Sequence, residues 1–358
     1  MSVPGCVRYE RVRLAGIGFE LAPIVVTSEE LERRLAPTYE ALSLAPGQLV
    51  GWTGIEERRW WPEEHRLSEV AALAAQRVLG RCGVETDEIG ALLYAGVCRE
   101  GYEPATATAV AARLHLGGGV VLHDVSNACL GVVDGILDLA NRIELGQIES
   151  GLVVSAESAR TIVEETIHSL NAAPSMERFV PALATLTGGS GAVAVLLCRD
   201  DGSERMRARP RLRGGITRTA PEHHELCRWG VHPDPDGRPG YRVERMTTDS
   251  ILVMQNGIAL GTATWQAFLQ GMGWSRGEID RTIGHQVGSA HREGILEAIG
   301  RRPEQDFVTY PYLGNIGTVS LPLTAALAEE RGRVRAGQNV AWLGIGSGLV
   351  CSMLGWEW

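Results

Sequence analysis

The sequence is short of several things, and each shortage removes a class of protein. It has only four phenylalanines among 358 residues, no Cys-x-x-Cys spacing, no excess of basic residues and no apolar run of membrane-spanning length. Seven cysteines, scattered along a chain of this length, imply neither a disulfide framework nor a zinc ribbon, so most are expected to be core thiols. A formal net charge of -9 argues against a general nucleic-acid binder, whose electrostatic footprint would be basic. Residues 1–20 carry Arg8, Glu10, Arg11 and Arg13 and lack the apolar core of a signal peptide; with no later membrane span, the expected location is the cytoplasm.

What is present is alternation. Apolar, β-rich runs at 91–97, 151–157, 191–197, 281–287 and 339–346 alternate with helical patterns, which predicts an α/β fold with buried sheets. Helices are predicted at roughly 129–145 and 317–331, each opening at a Gly/Asn-rich turn. An internal repeat is the stronger signal: GSGAVAVLL (189–197) echoes GSGLVCSML (346–354). Upstream of each copy lie a helix, a Gly-Gln pair (Gly146 and Gln147; Gly337 and Gln338) and a strand. The chain therefore divides into an N-terminal half, 1–200, and a C-terminal half, 201–358, in which equivalent helices meet at a pseudo-dyad. Residues 200–245, charged and rich in Pro and Gly, read as the crossover plus surface elaboration.

Three residues in this frame carry chemistry. Cys129, in SNACLG, sits at the start of an apolar helix, where the macrodipole and free N–H groups favour a thiolate; a small buried hydrophobe at a tight turn is the other reading. His285, in IGHQVGS, lies at a strand end, and Asn315, in LGNIGT, opens the second central helix, where asparagine usually serves as a cap. Each is weak alone, but the order Cys, His, Asn across two repeat units is much stronger.

Over nearly its whole length the chain resembles the ketosynthase III branch of the thiolase superfamily. TGIEERRW (53–60), DVSNACLG, the GHQ strand end and the GNIG turn match that branch's motifs, and His285 and Asn315 stand thirty positions apart, as they do there. The resemblance implies a five-layered αβαβα thiolase fold, a homodimer and a ping-pong reaction without metal or redox cofactor. It makes Cys129 the acylated nucleophile and gives His285 and Asn315 the enolate oxygen of the second substrate. The backbone N–H groups of Cys129 and Ser347 would form the oxyanion hole. Within the branch the chain is most similar to the enzymes that join two long fatty acyl-CoA molecules head to head, because Glu103, in REGYEPATATAV, stands where the decarboxylating synthases are typically apolar. A malonyl thioester makes its own carbanion by losing carbon dioxide, whereas a simple acyl thioester needs a base; the resemblance has Glu103 supply it in the partner subunit's site. Extra residues between Thr27 and Thr53, with Trp52 before the TGI motif, leave CoA against carrier-protein thioesters open. Alternative functions are a decarboxylating 3-oxoacyl synthase III, an acyltransferase to an alcohol or amine, and a noncatalytic subunit of a heterodimer; downstream pathway enzymes are the further partners.

Other features are read as structural. His223, His224, Cys227 and His232 fit no standard zinc spacing and read as a polar surface loop. Arg205, Arg207, Arg209, Arg211 and Arg213 alternate, so in a strand they would share one solvated face. Nine tryptophans outnumber the phenylalanines and are assigned to the core, the dimer contact or an acyl channel.

Overall fold

A computed structural model describes residues 3–233 and 242–358. Its main sheet has ten strands, but the sheet narrows to a single residue pair, Arg13 opposite Arg211, where the two halves meet. On the N-terminal side the order is Val121–Val125, Ala91–Ala95, Ser150–Glu157, Gly191–Arg199, Val12–Leu21. On the C-terminal side it is Arg281–Gly284, Asn339–Gly346, Val350–Glu357, Arg211–Thr219, with Cys6–Arg8 beside the last. If the isolated parallel bridge between Thr282 and Asp306 is counted as the missing third strand, the two halves share one strand order. The repeated Gly-Ser-Gly segments are then the equivalent fifth strands, as the sequence predicts.

Alternate side chains on these strands face opposite layers. Ala91, Leu93 and Ala95 enter the central core, while Leu92 and Tyr94 enter the cluster beneath Leu67–Cys82 and Thr106–Arg113. In the other half, Val340 and Trp342 face the centre, and Ala341 and Leu343 face Ser250–Met272 and Ser289–Ile299. Helices, sheet, helices, sheet, helices: this is the five-layered thiolase arrangement.

The two central helices are Gly131–Glu144 and Ser320–Glu330. The first buries Val132, Ile136, Leu139 and Ile143, the stripe that a 3.6-residue period requires. Gly135 lets it approach the neighbouring strand, since a Cβ there would stand 2.7 Å from a Val153 methyl carbon. The second is buried from Ser320 through Ala328, as a helix between two sheets must be. Gly146 and Gly337, the equivalent glycines after these helices, both have left-handed φ (70° and 83°), which a side chain would resist.

Three sequence readings need correction. Arg211–Thr219 is a strand of the main sheet, where surface elaboration is expected, and it packs Leu212 and Ile216 into the core. The arginine stripe is split: Arg205 and Arg207 belong to the short helix Glu204–Arg207, whereas Arg211 and Arg213 do share one face of that strand and both pair with Glu357. The segment with the histidines is no surface loop throughout. From Cys227 it forms a hairpin with Arg242–Thr248, separate from the main sheet; the crossover residues 234–241 lie outside the described residues. Between Thr27 and Thr53 the extra residues form three short helices, packed with Arg160–Ala172 and Met176–Ala182 into a fourth cluster that carries Trp52 against Phe179.

Candidate active site

Cys129 lies on a sharp turn between Val121–Val125 and the central helix. Ala128 just before it has φ 45°, a conformation rare for a residue with a side chain, and the Leu130 N–H donates to Asn127 O at 2.9 Å. The Asn127 amide donates to Asp134 on the first turn of the helix and holds the turn from below. Cys129 thus stands two residues ahead of the helix and not on it. The dipole effect expected from the sequence is overcome: burial pushes the thiol up to about 12, and the charges of Cys227 and Glu157 push the same way.

The other half brings three groups to the same place. His285 follows its strand directly and donates its N–H to Leu343 O at 2.9 Å. Next to it, Gln286 is buried and accepts from the Thr309 and Tyr310 N–H groups, which fixes the strand end. Burial and nearby His291 lower the His285 pKa to about 4, so the imidazole is neutral, and its buried Nδ1 has no partner among the described residues. Asn315 accepts from the Gly317 N–H at 3.0 Å through Oδ1, a cap-like bond that leaves its NH2 as the donor. Ser347 lies in the turn after Asn339–Gly346, and a Cβ on Gly346 would stand 3.5 Å from the Cys129 nitrogen, so this backbone runs close beside the nucleophile.

Two cavities meet at Cys129. One, of about 530 Å³, runs beneath the hairpin past Glu157, Ile162, Trp229 and Met246. The other, of about 300 Å³, runs past Trp52, Met254 and His291 and includes His285. Cys129, Asn315 and Ser347 line both. A thiol that lines two cavities, in company with an imidazole and a carboxamide, is the arrangement that could hold a thioester-derived acyl group and receive a second one.

Residues 269–358 match the family model described as 3-oxoacyl-[acyl-carrier-protein] synthase III, C terminal. The acyl-CoA:acyl-CoA alkyltransferase of Shewanella oneidensis is 49% identical over 353 residues, covering 98% of this chain and 100% of its own. The enzyme of the same name from Xanthomonas campestris is 34% identical, covering 98% and 99%. The structure of Xanthomonas campestris OleA with bound lauric acid and lauroyl-CoA superposes with a TM-score of 0.90 at 34% identity, covering 98% of this chain and all of that one. The chain belongs to the OleA family. It is therefore a thiolase-superfamily condensing enzyme of the ketosynthase III branch.

Against that OleA frame, Glu103 stands apart from the other predicted residues. It lines neither cavity of its own chain and lies in an exposed loop, beside a Tyr102 that is 99% exposed. The loop is nonetheless held at both roots. Glu157 accepts from the Val97 and Cys98 N–H groups at 3.0 and 3.1 Å, and Asp124 accepts from those of Thr106 and Ala107 at 2.9 Å each.

Sequence reasoning misses Glu157, a buried carboxylate lining the Cys129 cavity. Burial pushes its pKa up, while N–H donors from Val97, Cys98 and Thr318 and the Cys98 thiol pull it back. It also misses His291 and the hairpin residues Cys227, Trp229 and Met246 as cavity walls. Only Glu157 leaves a trace in the sequence: an acid directly ending an eight-residue apolar strand. Among the described residues no group of three or more His, Cys, Asp or Glu side chains is arranged to hold a metal.

Proposed function

We propose that this protein joins two long-chain fatty acyl-CoA molecules by a Claisen condensation without decarboxylation, giving a 2-alkyl-3-oxo acid or its thioester. The observation that carries the reading is the meeting of two cavities at Cys129, with Asn315 and Ser347 on both and His285 on one. In the first half-reaction the Cys129 thiol loses its proton and attacks the thioester carbonyl; CoA leaves as its thiol and the acyl group stays on sulfur. The N–H groups of Cys129 and Ser347 stabilise the tetrahedral oxyanion. In the second, a base removes the α-proton of another acyl-CoA, His285 and Asn315 donate to the enolate oxygen, and the α-carbon displaces the Cys129 sulfur, which takes up a proton; the product is a 2-alkyl-3-oxoacyl-CoA, and hydrolysis of its thioester by water gives the free acid and a second CoA. A neutral imidazole suits that role, because it donates one hydrogen bond without adding a charge.

The base in this reading is Glu103 of the partner subunit in a homodimer. Its exposed loop, anchored at both roots, supports that assignment, and so does the position of Val121–Val125 at the sheet edge with Val121 exposed. The thioester already activates the acyl group, so the sequence of steps calls for no metal or redox cofactor. No helix among the described residues is long and apolar enough to cross a membrane, which is compatible with a cytoplasmic enzyme drawing on acyl-CoA. Exposure of the protein to long-chain acyl-CoA should add one acyl mass at Cys129, and Cys129→Ser should abolish the adduct in peptide mass spectrometry. An adduct on Cys98 or Cys227 with Cys129 unmodified would overturn the assignment.

A further inference from the structure

The geometry points to Glu157 as a positioning residue that sets Cys129, the Asn315 turn and the root of the Glu103 loop in register with one another. The inference rests on the reading above, in which Cys129 and Asn315 serve the two half-reactions. Glu157 ends the strand Ser150–Glu157 and is 4% exposed, and its carboxylate faces the cavity that Cys129 and Asn315 share.

Three segments converge on it. The first is the loop after Ala91–Ala95: Oε1 accepts from the Val97 N–H and Oε2 from the Cys98 N–H, and this is the loop that five residues later bears Glu103. The second is the turn after Asn315. Gly317 lies so close that a Cβ on it would stand 3.2 Å from Glu157 Oε1, and the Thr318 N–H lowers the carboxyl pKa. That same Gly317 holds Asn315 Oδ1 through its own N–H. The third is the nucleophile helix, reached through Thr318, whose hydroxyl accepts from the Val132 N–H at 2.7 Å. One buried carboxylate thus ties residues from both halves of the duplicated fold. The two bonds from Val97 and Cys98 have a carboxylate acceptor, the stronger kind. The titratable groups facing it are Tyr94 and Cys98 on its own side and Cys129 across the cavity, with Cys227 on the hairpin beyond; Arg228 and His232 line the same cavity.

Glu157→Gln keeps the shape but replaces one acceptor oxygen by an NH2, which then confronts a backbone donor. With folding checked by thermal melting, single-turnover assays should separate the steps: condensation from preformed acyl-enzyme falls roughly tenfold to a hundredfold, and acyl transfer to Cys129 falls less. A readout that a merely structural role would not move is the pH dependence of Cys129 alkylation by iodoacetamide. Removal of a negative charge facing the thiol should shift that profile to lower pH. A folded Glu157→Gln protein that condenses at the wild-type rate overturns the inference, as does an alkylation profile that stays in place or moves to higher pH. If Glu157→Gln does not fold, Thr318→Val takes its place; it cuts the tie to Val132, and wild-type rates in both half-reactions would overturn the inference. Alkylation needs no substrate, so Glu157 is tested even if acyl-CoA leaves wild-type Cys129 unmodified, the result that would instead sink the proposed reaction.

Discussion

At Cys129 two local effects oppose each other. The turn, with Ala128 in the left-handed region, presents the sulfur to both cavities, while burial raises its pKa. His285 and Asn315 are arranged differently, each held through one group and left with another to offer. The His285 backbone is tied to Leu343 and the Asn315 carbonyl to Gly317, which leaves the imidazole and the carboxamide NH2 for the donor roles proposed above. His285→Ala and Asn315→Ala should therefore keep useful acyl transfer to Cys129 but lose condensation by about a hundredfold to a thousandfold, the usual cost of one oxyanion donor. Rapid-quench measurement of each half-reaction checks this, and normal condensation in either variant would contradict the placement of the second half-site. These three residues were legible because each stands in a short Gly-flanked motif. Glu157 was not, because an acid after an apolar run looks the same whether it meets water or the backbone N–H groups of Val97 and Cys98.

Among the secondary-structure elements, the helix Gly131–Glu144 does most to position the nucleophile. Its apolar stripe contains Leu139, fully buried in the central cluster. Leu139→Ala should destabilise the protein by about 2–5 kcal/mol, the range for a core leucine whose cavity closes only partly. Denaturant unfolding measures it, and a change below about 1 kcal/mol would mean that the helix is held mainly by other contacts. Apolar periodicity made this helix, its counterpart and five strands readable to within a few residues. The strand Arg211–Thr219 escaped because its arginines and paired glycines resemble a surface segment; only Glu357, a distant partner in sequence, makes them acceptable inside a sheet. The hairpin escaped for a similar reason: its inner face, Cys227, Trp229, Met246 and Thr248, becomes a coherent wall only after the strands pair.

At the scale of the whole molecule, duplication explains why one site needs both halves. Each half brings a central helix and a fifth strand. The first half supplies Cys129 and Glu157, and the second supplies His285, Asn315 and the Ser347 turn. What a single chain does not bring to its own cavities is Glu103, whose loop points the account toward a second copy. Glu103→Ala should accept an acyl group on Cys129 without joining two chains. A mixed dimer of Glu103→Ala and Cys129→Ser subunits should regain one working site, because the intact Cys129 of one chain meets the intact Glu103 of the other. Condensation by that purified heterodimer checks the cross-subunit arrangement, and a folded but inactive heterodimer would exclude it.

Joining two simple acyl thioesters without a malonyl extender is what separates this reaction from that of a decarboxylating synthase, and one assay distinguishes them. Purified protein is given a single long-chain acyl-CoA and nothing else, and the products are identified by mass spectrometry. Free CoA should appear together with a 2-alkyl-3-oxo acid, or the ketone it forms on losing carbon dioxide, containing both acyl chains. Acyl-Cys129 that accumulates without any joined product, and that condenses only when malonyl thioester is added, would contradict the proposed reaction.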